Sequence, residues 1–255
     1  MHTQRLHRTD SDQRAIERTR ASAETQNSPH IHVLQKHEFF HGLPPPILRR
    51  ISSRVRKAYY AAGRPIFSKG DPGHGLLAVL SGVVKISVVS QDGKEIALNL
   101  LGAGEIFGEI ALLDGGPRTA DSVALDDCEL LMLDRRDILP LLMEEPSVAI
   151  RLLEVLSSRL RRTSDQVEDL SFGALSVRLA KALLRFTELQ GTTNTARPRV
   201  RVTQKELGQI VGLSRERTNW HLRDWERAGY LTLTKGGCVF DNKDIIQKLA
   251  RGHET

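Results

Sequence analysis

Thirteen consecutive residues in the middle of the chain, Phe107 to Thr119 (F-G-E-I-A-L-L-D-G-G-P-R-T), gather the groups that bind a small phosphate ester. Gly108 clears room for backbone, Glu109 stands beside it, Ile110 and Ala111 open a short apolar turn, and Arg118 follows a tight Gly115-Gly116-Pro117 loop. Free backbone N–H groups at the start of a helix attract a phosphate. The planar fork of Arg118 can hold one bidentately. Glu109, an acceptor without a proton at neutral pH, suits a sugar hydroxyl instead. A phosphate on Arg118 and a ribose on Glu109, nine positions apart, point to a small cyclic nucleotide. The plainer alternative is a Gly-rich hairpin with Arg118 in a surface ion pair.

The whole pattern, F-G-E-I-A-L-L followed by P-R-T-A, resembles the phosphate-binding cassette of cyclic-nucleotide-binding domains, as in catabolite activator proteins and the regulatory parts of cyclic-nucleotide-dependent kinases. The resemblance implies ligand contacts at Gly108, Glu109, Ile110, Ala111, Arg118 and Thr119. Thr119 directly after Arg118 is similar to cassettes that select guanine. No Ser/His/Asp or paired-carboxylate arrangement lies near the cassette, and holding a cyclic phosphate needs none. A nucleotide-hydrolysing enzyme is therefore the remote alternative, and no catalytic residue is assigned.

The 255 residues allow two modest domains with a sizeable core. No apolar run approaches the roughly 18 residues of a membrane span, and the polar N-terminus has no secretory apolar segment, so a cytoplasmic protein is expected. Cys128 and Cys238 are the only cysteines, which argues against a disulfide framework and excludes a four-cysteine zinc or iron–sulfur site within one chain. Charge is unevenly placed. Residues 1–172 carry 22 Lys+Arg against 23 Asp+Glu, whereas 173–255 carry 15 against 8, so the basic part is C-terminal and points to nucleic acid.

Residues 1–30 hold almost no large apolar side chain and are expected to be a disordered extension. His2, His7, His30, His32, His37 and His41 fit no metal-ligand spacing and are expected to be solvated. A lead-in turn at Phe39–Pro46 precedes a short helix around Ile47–Arg56. From Lys57 to Leu139 short apolar strands alternate with turn signals, among them Gly70-Asp71-Pro72-Gly73 and Asp92-Gly93. Such punctuation predicts an antiparallel β-roll or jelly roll, with the cassette late in it. Val83–Val89 and Glu95–Leu100 form a hairpin.

After Pro146 the period changes. Ala149, Leu153, Leu156, Leu160, Thr163, Val167 and Leu170 step by four and three, the a/d seam of a coiled coil. The simplest partner for it is the same helix of a second chain, hence a parallel homodimer; packing on the chain's own β-roll is the alternative. Thr163 is the one hydroxyl on that seam and needs a hydrogen-bonding partner. The stretch Arg159 to Ser164 resembles the central helix of catabolite activator proteins, which implies that Thr163 bonds the base in its own subunit, Ser164 the base bound across the dimer, and Arg159 pairs with Glu109. Thr163-Ser164 matches an adenine-contacting pair. Gly173 is the expected hinge, and Ala174 stands where the family commonly has an acidic helix cap.

An amphipathic helix over 175–190, a short strand at 200–202 and the capping box Thr203-Gln204-Lys205-Glu206 lead to a helix ending at Val211. Gly212 then turns the chain into a second helix capped by Ser214, a helix-turn-helix. Two strands around Lys235-Gly236-Gly237 add a wing. Leu213, Thr218, Leu222 and Trp225 face inward, and Arg215, Glu216, Asn219, Trp220 and Arg223 would meet the major groove. Arg217 is expected on phosphate. Val202 to Trp225 resembles the reading head of catabolite activators, most closely at Ser214-Arg215-Glu216, while Trp220 replaces a second guanine-reading arginine.

These readings predict an α+β protein: an extension (1–30), a β-roll (31–145), a dimerisation helix (146–172) and a winged helix-turn-helix (173–255). The resemblance to the catabolite activator/fumarate–nitrate regulator superfamily implies a homodimeric transcription regulator on a palindromic operator in double-stranded DNA, with RNA polymerase as a further partner. Cyclic AMP is the leading effector, cyclic GMP the rival, and a regulator active without nucleotide the alternative. No metal or other cofactor is implied. Roll and head are expected to communicate only through the seam helix and Gly173.

Overall fold

The computed structural model describes residues 30–252, so the expectation for the extension lies outside the described residues except at His30. Eight strands build the roll: β1 (Arg56–Tyr60), β2 (Pro65–Phe67), β3 (Gly75–Ser81), β4 (Val84–Val89), β5 (Glu95–Leu101), β6 (Ile106–Phe107), β7 (Asp121–Ala124) and β8 (Cys128–Asp134). They pair into two antiparallel four-stranded sheets, ordered β1-β8-β3-β6 and β2-β7-β4-β5. Leu77, Val79, Val84, Leu101, Phe107 and Leu130 fill the space between the sheets.

The first sheet buries its other side under α1 (Ile31–Lys36), α2 (Pro45–Ser52), α4 (Arg135–Glu144) and the start of α5 (Pro146–Phe172). α2 starts and stops earlier than expected, because Pro45 is pre-set for the first helical position and Arg56 is already in β1. His37 corrects the expectation of solvated histidines. It sits at 4% exposure against Phe40, and burial pushes its pKa down to about 4. The cassette helix α3 (Glu109–Asp114) leaves the roll directly after β6.

At about 1.5 Å per residue the 27 residues of α5 extend for roughly 40 Å. Its faces divide the seam. Val148 and Leu152 are buried in the roll with Leu156 packed beside them, whereas Ile150, Leu153, Leu160 and Val167 stand exposed, Leu160 at 70%. Leu156 therefore serves the roll, and the outward stripe is open for a partner.

The head comprises α6 (Leu175–Leu189), β9 (Arg199–Arg201), α7 (Gln204–Val211), α8 (Arg215–Arg227), β10 (Leu231–Thr234), β11 (Gly237–Phe240) and α9 (Lys243–Ala250). Its sheet runs β10-β11-β9, and Leu179, Leu183, Phe186, Leu222, Trp225 and Phe240 form its core.

Two expectations about the joint are corrected. Gly173 has φ −70° and ψ 133°, angles open to any residue. Space is what favours glycine there, since a Cβ would lie 2.5 Å from the Asp169 carbonyl oxygen. Nor is α5 the only connection. Leu100 of β5 belongs to the head's core, and a Cβ on Gly102 would come within 2.7 Å of Leu189 Cδ2. The head is docked directly on its own roll because β5 turns apolar surface outward, which only another element can cover.

Candidate nucleotide cavity and DNA-reading helix

Gly108 adopts φ 83°, and a Cβ there would meet Arg118 Nη1 at 2.3 Å. Glycine is required on both counts. Arg118, 7% exposed, donates from Nη1 to the Gly108 carbonyl at 2.9 Å and from Nη2 to the Gly75 carbonyl at 3.0 Å. Its guanidinium carbon lies 4.4 Å from the Phe67 ring centroid, a cation–π placement. Burial lowers its pKa, opposed by the charges of Glu109 and Asp71, yet an arginine remains a cation in such a setting. The carbonyls occupy two of its five N–H donors, and the buried Nε has no hydrogen-bond partner.

Glu109 is 3% exposed, and its Oε1 accepts from Arg159 Nη1 at 2.5 Å. Arg159 also donates from Nη2 to the Ile106 carbonyl, so α5 is fastened to the strand that leads into the cassette. Glu109 Oε2 is buried with no partner. Glu109, Arg118 and Arg159 line one small cavity of about 60 Å³ with Phe67, Ile86 and Phe107. One unsatisfied acceptor and two unsatisfied donors, the second being Arg159 Nε, thus belong to residues that line the same space, and buried polar groups of this kind call for a partner.

The structure brings Gly108, Glu109, Ile110, Ala111, Arg118, Thr119 and Arg159 together at this cavity. It does not bring Thr163 or Ser164 there. Both are exposed in the single chain, and Ser164 Oγ donates back to the Leu160 carbonyl at 3.0 Å. Thr163 instead lines a larger cleft of about 310 Å³ between β5, α5 and the head. It is nevertheless one helical turn beyond Arg159, on the same side of α5. No local pattern marks Phe67 or Ile86, which reach the cavity from strands distant in the chain, or Gly75, whose carbonyl holds Arg118 from β3.

In the head, Thr203 Oγ1 accepts from the Glu206 N–H at 3.2 Å while Glu206 Oε2 accepts from the Thr203 N–H at 2.7 Å, completing the capping box. Gly212 turns the chain with φ 71°, and Ser214 Oγ accepts from the Arg217 N–H at 3.3 Å. Thr218, Leu222 and Trp225 are buried beneath α8. Arg215, Glu216, Arg217, Trp220 and Arg223 are exposed on it, Trp220 at 60%. Asn219 is half-buried and accepts from Gln204 Nε2 at 2.9 Å, so it also braces the two helices. Glu216 is held below the ordinary carboxylate range by its own backbone N–H and by Ser214.

Among the described residues no group of three or more His, Cys, Asp or Glu could hold a metal, and no helix is long and apolar enough to cross a membrane.

Comparison with known proteins gives the same two units. A model of the cyclic nucleotide-binding domain matches residues 57–145, and a Crp-like helix-turn-helix model matches 177–246. The chain is 31% identical over 221 residues to the CRP-like cAMP-activated global transcriptional regulator of Mycobacterium tuberculosis, covering 86% of this chain and 99% of that one. It is 37% identical over 213 residues to the cyclic AMP receptor protein of Thermus thermophilus, covering 84% and 96%. A solved CRP/FNR-family regulator from the same Thermus species superposes with a TM-score of 0.68 at 26% identity, covering 78% of this chain and all of that one. With its β-roll, long helix and winged head in that order, the chain belongs to the CRP/FNR superfamily of cyclic-nucleotide-binding, DNA-binding transcription regulators.

Proposed function

We propose that this chain acts as a homodimer that binds cyclic AMP at the cassette and thereby gains affinity for a palindromic operator, where it meets RNA polymerase. The observation that carries the reading is that Glu109 Oε2, a buried acceptor, and Arg118 Nε, a buried donor, lack partners, as does Arg159 Nε, on residues that line the same small cavity. A ribose hydroxyl would satisfy the first and a cyclic phosphate the second. Gly108, Ile110, Ala111 and Thr119 shape the wall around them. Arg159 holds Glu109 in place and belongs to the helix that would carry the signal. Thr163 and Ser164, one turn further along, would supply base contacts, Ser164 across the dimer. The exposed stripe of Leu153, Leu160 and Val167 supports self-association.

Cyclic AMP is favoured over cyclic GMP because the named relatives from Mycobacterium and Thermus are cyclic AMP proteins and Thr163-Ser164 suits adenine. On DNA, Arg215, Glu216, Trp220 and Arg223 would address base edges, with Asn219 beside them. Arg217, Thr203 and Ser214 would lie against phosphate.

Calorimetric titration of both nucleotides into wild type and Arg118→Ala tests the reading. Binding to wild type, with cyclic AMP the tighter ligand, and a large loss in the variant are expected, since charge-assisted bonds contribute about 1.5–3 kcal/mol each. Unchanged affinity in the variant would remove the cassette assignment. No binding of either nucleotide would favour a regulator that reads DNA without one.

A further inference from the structure

Roll and head share a closed polar ring. Lys85 on β4 is 6% exposed; its Nζ lies 2.6 Å from Glu95 Oε1 on β5 and donates to Gln209 Oε1 on α7 at 2.8 Å. Gln209 Nε2 closes the ring on Glu95 Oε2 at 2.5 Å. Burial, the largest single influence, would raise the Glu95 carboxyl, but bonds from Lys85 and Ser87 and the charges of Lys85 and Lys205 together hold the group below its ordinary range. The ring therefore joins an ammonium, a carboxylate and an amide, each bonded to the other two.

Its position matters as much as its bonds. Lys85 is followed by Ile86, and successive strand residues point to opposite faces. Ile86 lines the cassette cavity while Lys85 reaches the head. The β4–β5 register shifts between Ile86 and Ser87, a bulge where these two roles meet. On the far side, α7 is locked to the reading helix. Gln204 bonds Asn219 at 2.9 Å, and a Cβ on Gly208 would meet the Leu213 carbonyl oxygen at 2.8 Å and Thr218 Oγ1 at 3.0 Å. Whatever moves Gln209 moves α8 with it. A polar ring also suits a contact that must open, since Lys85 and Glu95 would gain water if the head lifted away, as a purely apolar contact would not.

We propose that Lys85 is a positioning residue for DNA reading: through Gln209 it carries the state of the nucleotide cavity from β4 directly to the helix-turn-helix, alongside the route through α5. The proposal rests on nucleotide gating as set out above. Its test reads the operator affinity of full-length protein by fluorescence anisotropy with and without saturating cyclic AMP, using a duplex selected by the wild type. Lys85→Met removes the ammonium and keeps the stem. Gln209→Leu leaves Lys85 and Glu95 paired within the roll, so it reports even if the first variant folds poorly.

Switches of this kind tighten binding by about 5–150-fold. In both variants that factor is expected to fall at least about three-fold, the α5 route carrying the rest, while cyclic AMP affinity without DNA stays near wild type. The melting temperature should stay near wild type in Gln209→Leu and fall in Lys85→Met, which leaves the Glu95 carboxylate without its ammonium. The double variant should lose no more than either single one. A coupling factor unchanged in Gln209→Leu overturns the clasp and leaves nucleotide gating standing. A wild type whose operator affinity ignores cyclic AMP overturns gating, and the clasp falls with it.

Discussion

Arg159 and Glu109 face each other at 2.5 Å from the long helix and the first turn of the cassette, and both side chains are largely buried. Taking Arg159 away strands a carboxylate that has no other hydrogen-bond partner on either oxygen and only the charge of Arg118 nearby. Removing one member of a buried pair is far costlier than replacing both. Arg159→Ala is expected to destabilise the roll by about 3 kcal/mol in denaturant melts. Glu109→Gln with Arg159→Met should recover most of that stability while leaving nucleotide binding impaired.

Operator reading separates two arginines of the same helix turn. Arg215→Ala is expected to cost about 1–3 kcal/mol and to relax preference at one guanine of each half-site. Arg217→Ala should weaken all sequences alike and flatten the salt dependence by about one unit of slope. Binding to a panel of single-base operator variants at several salt concentrations distinguishes them, and a uniform loss from Arg215→Ala would mean that the reading face is misassigned.

The two faces of α5 predict opposite phenotypes from neighbouring leucines. Leu160→Glu, on the exposed stripe, should convert dimer to monomer in sedimentation velocity with little change in unfolding. Leu156→Ala, packed against the roll, should instead lower stability by about 2 kcal/mol with self-association retained.

His37 ties stability to pH. Its folded pKa of about 4 lies below the ordinary 6.5, so the unfolded chain binds a proton that the folded chain refuses between those values. Stability contributed by the neutral ring is full above about pH 6.5 and is lost as pH falls toward 4. The loss is at most about 3 kcal/mol. His37→Leu should remove that part of the slope in urea melts run from pH 4 to 7.

Periodicity and turn chemistry wrote the elements into the sequence. The Thr203–Glu206 box, Gly212 and Ser214 act within a few residues of themselves, so their caps and turns could be read without a fold. The cassette is likewise contiguous, and Gly108, Glu109 and Arg118 are brought to one cavity by a short helix and a tight loop. What required the tertiary structure is everything that joins distant segments. Gly75 and Phe67 hold Arg118 from other strands, His37 is buried by a sheet formed far along the chain, and Leu156 turns toward the roll although it repeats with the seam. Lys85 and Gln209, 124 positions apart, meet because β5 leaves apolar surface that the head covers. Neither residue carries a local pattern, since a lysine on a strand and a glutamine on a helix look like solvated positions until the two surfaces close.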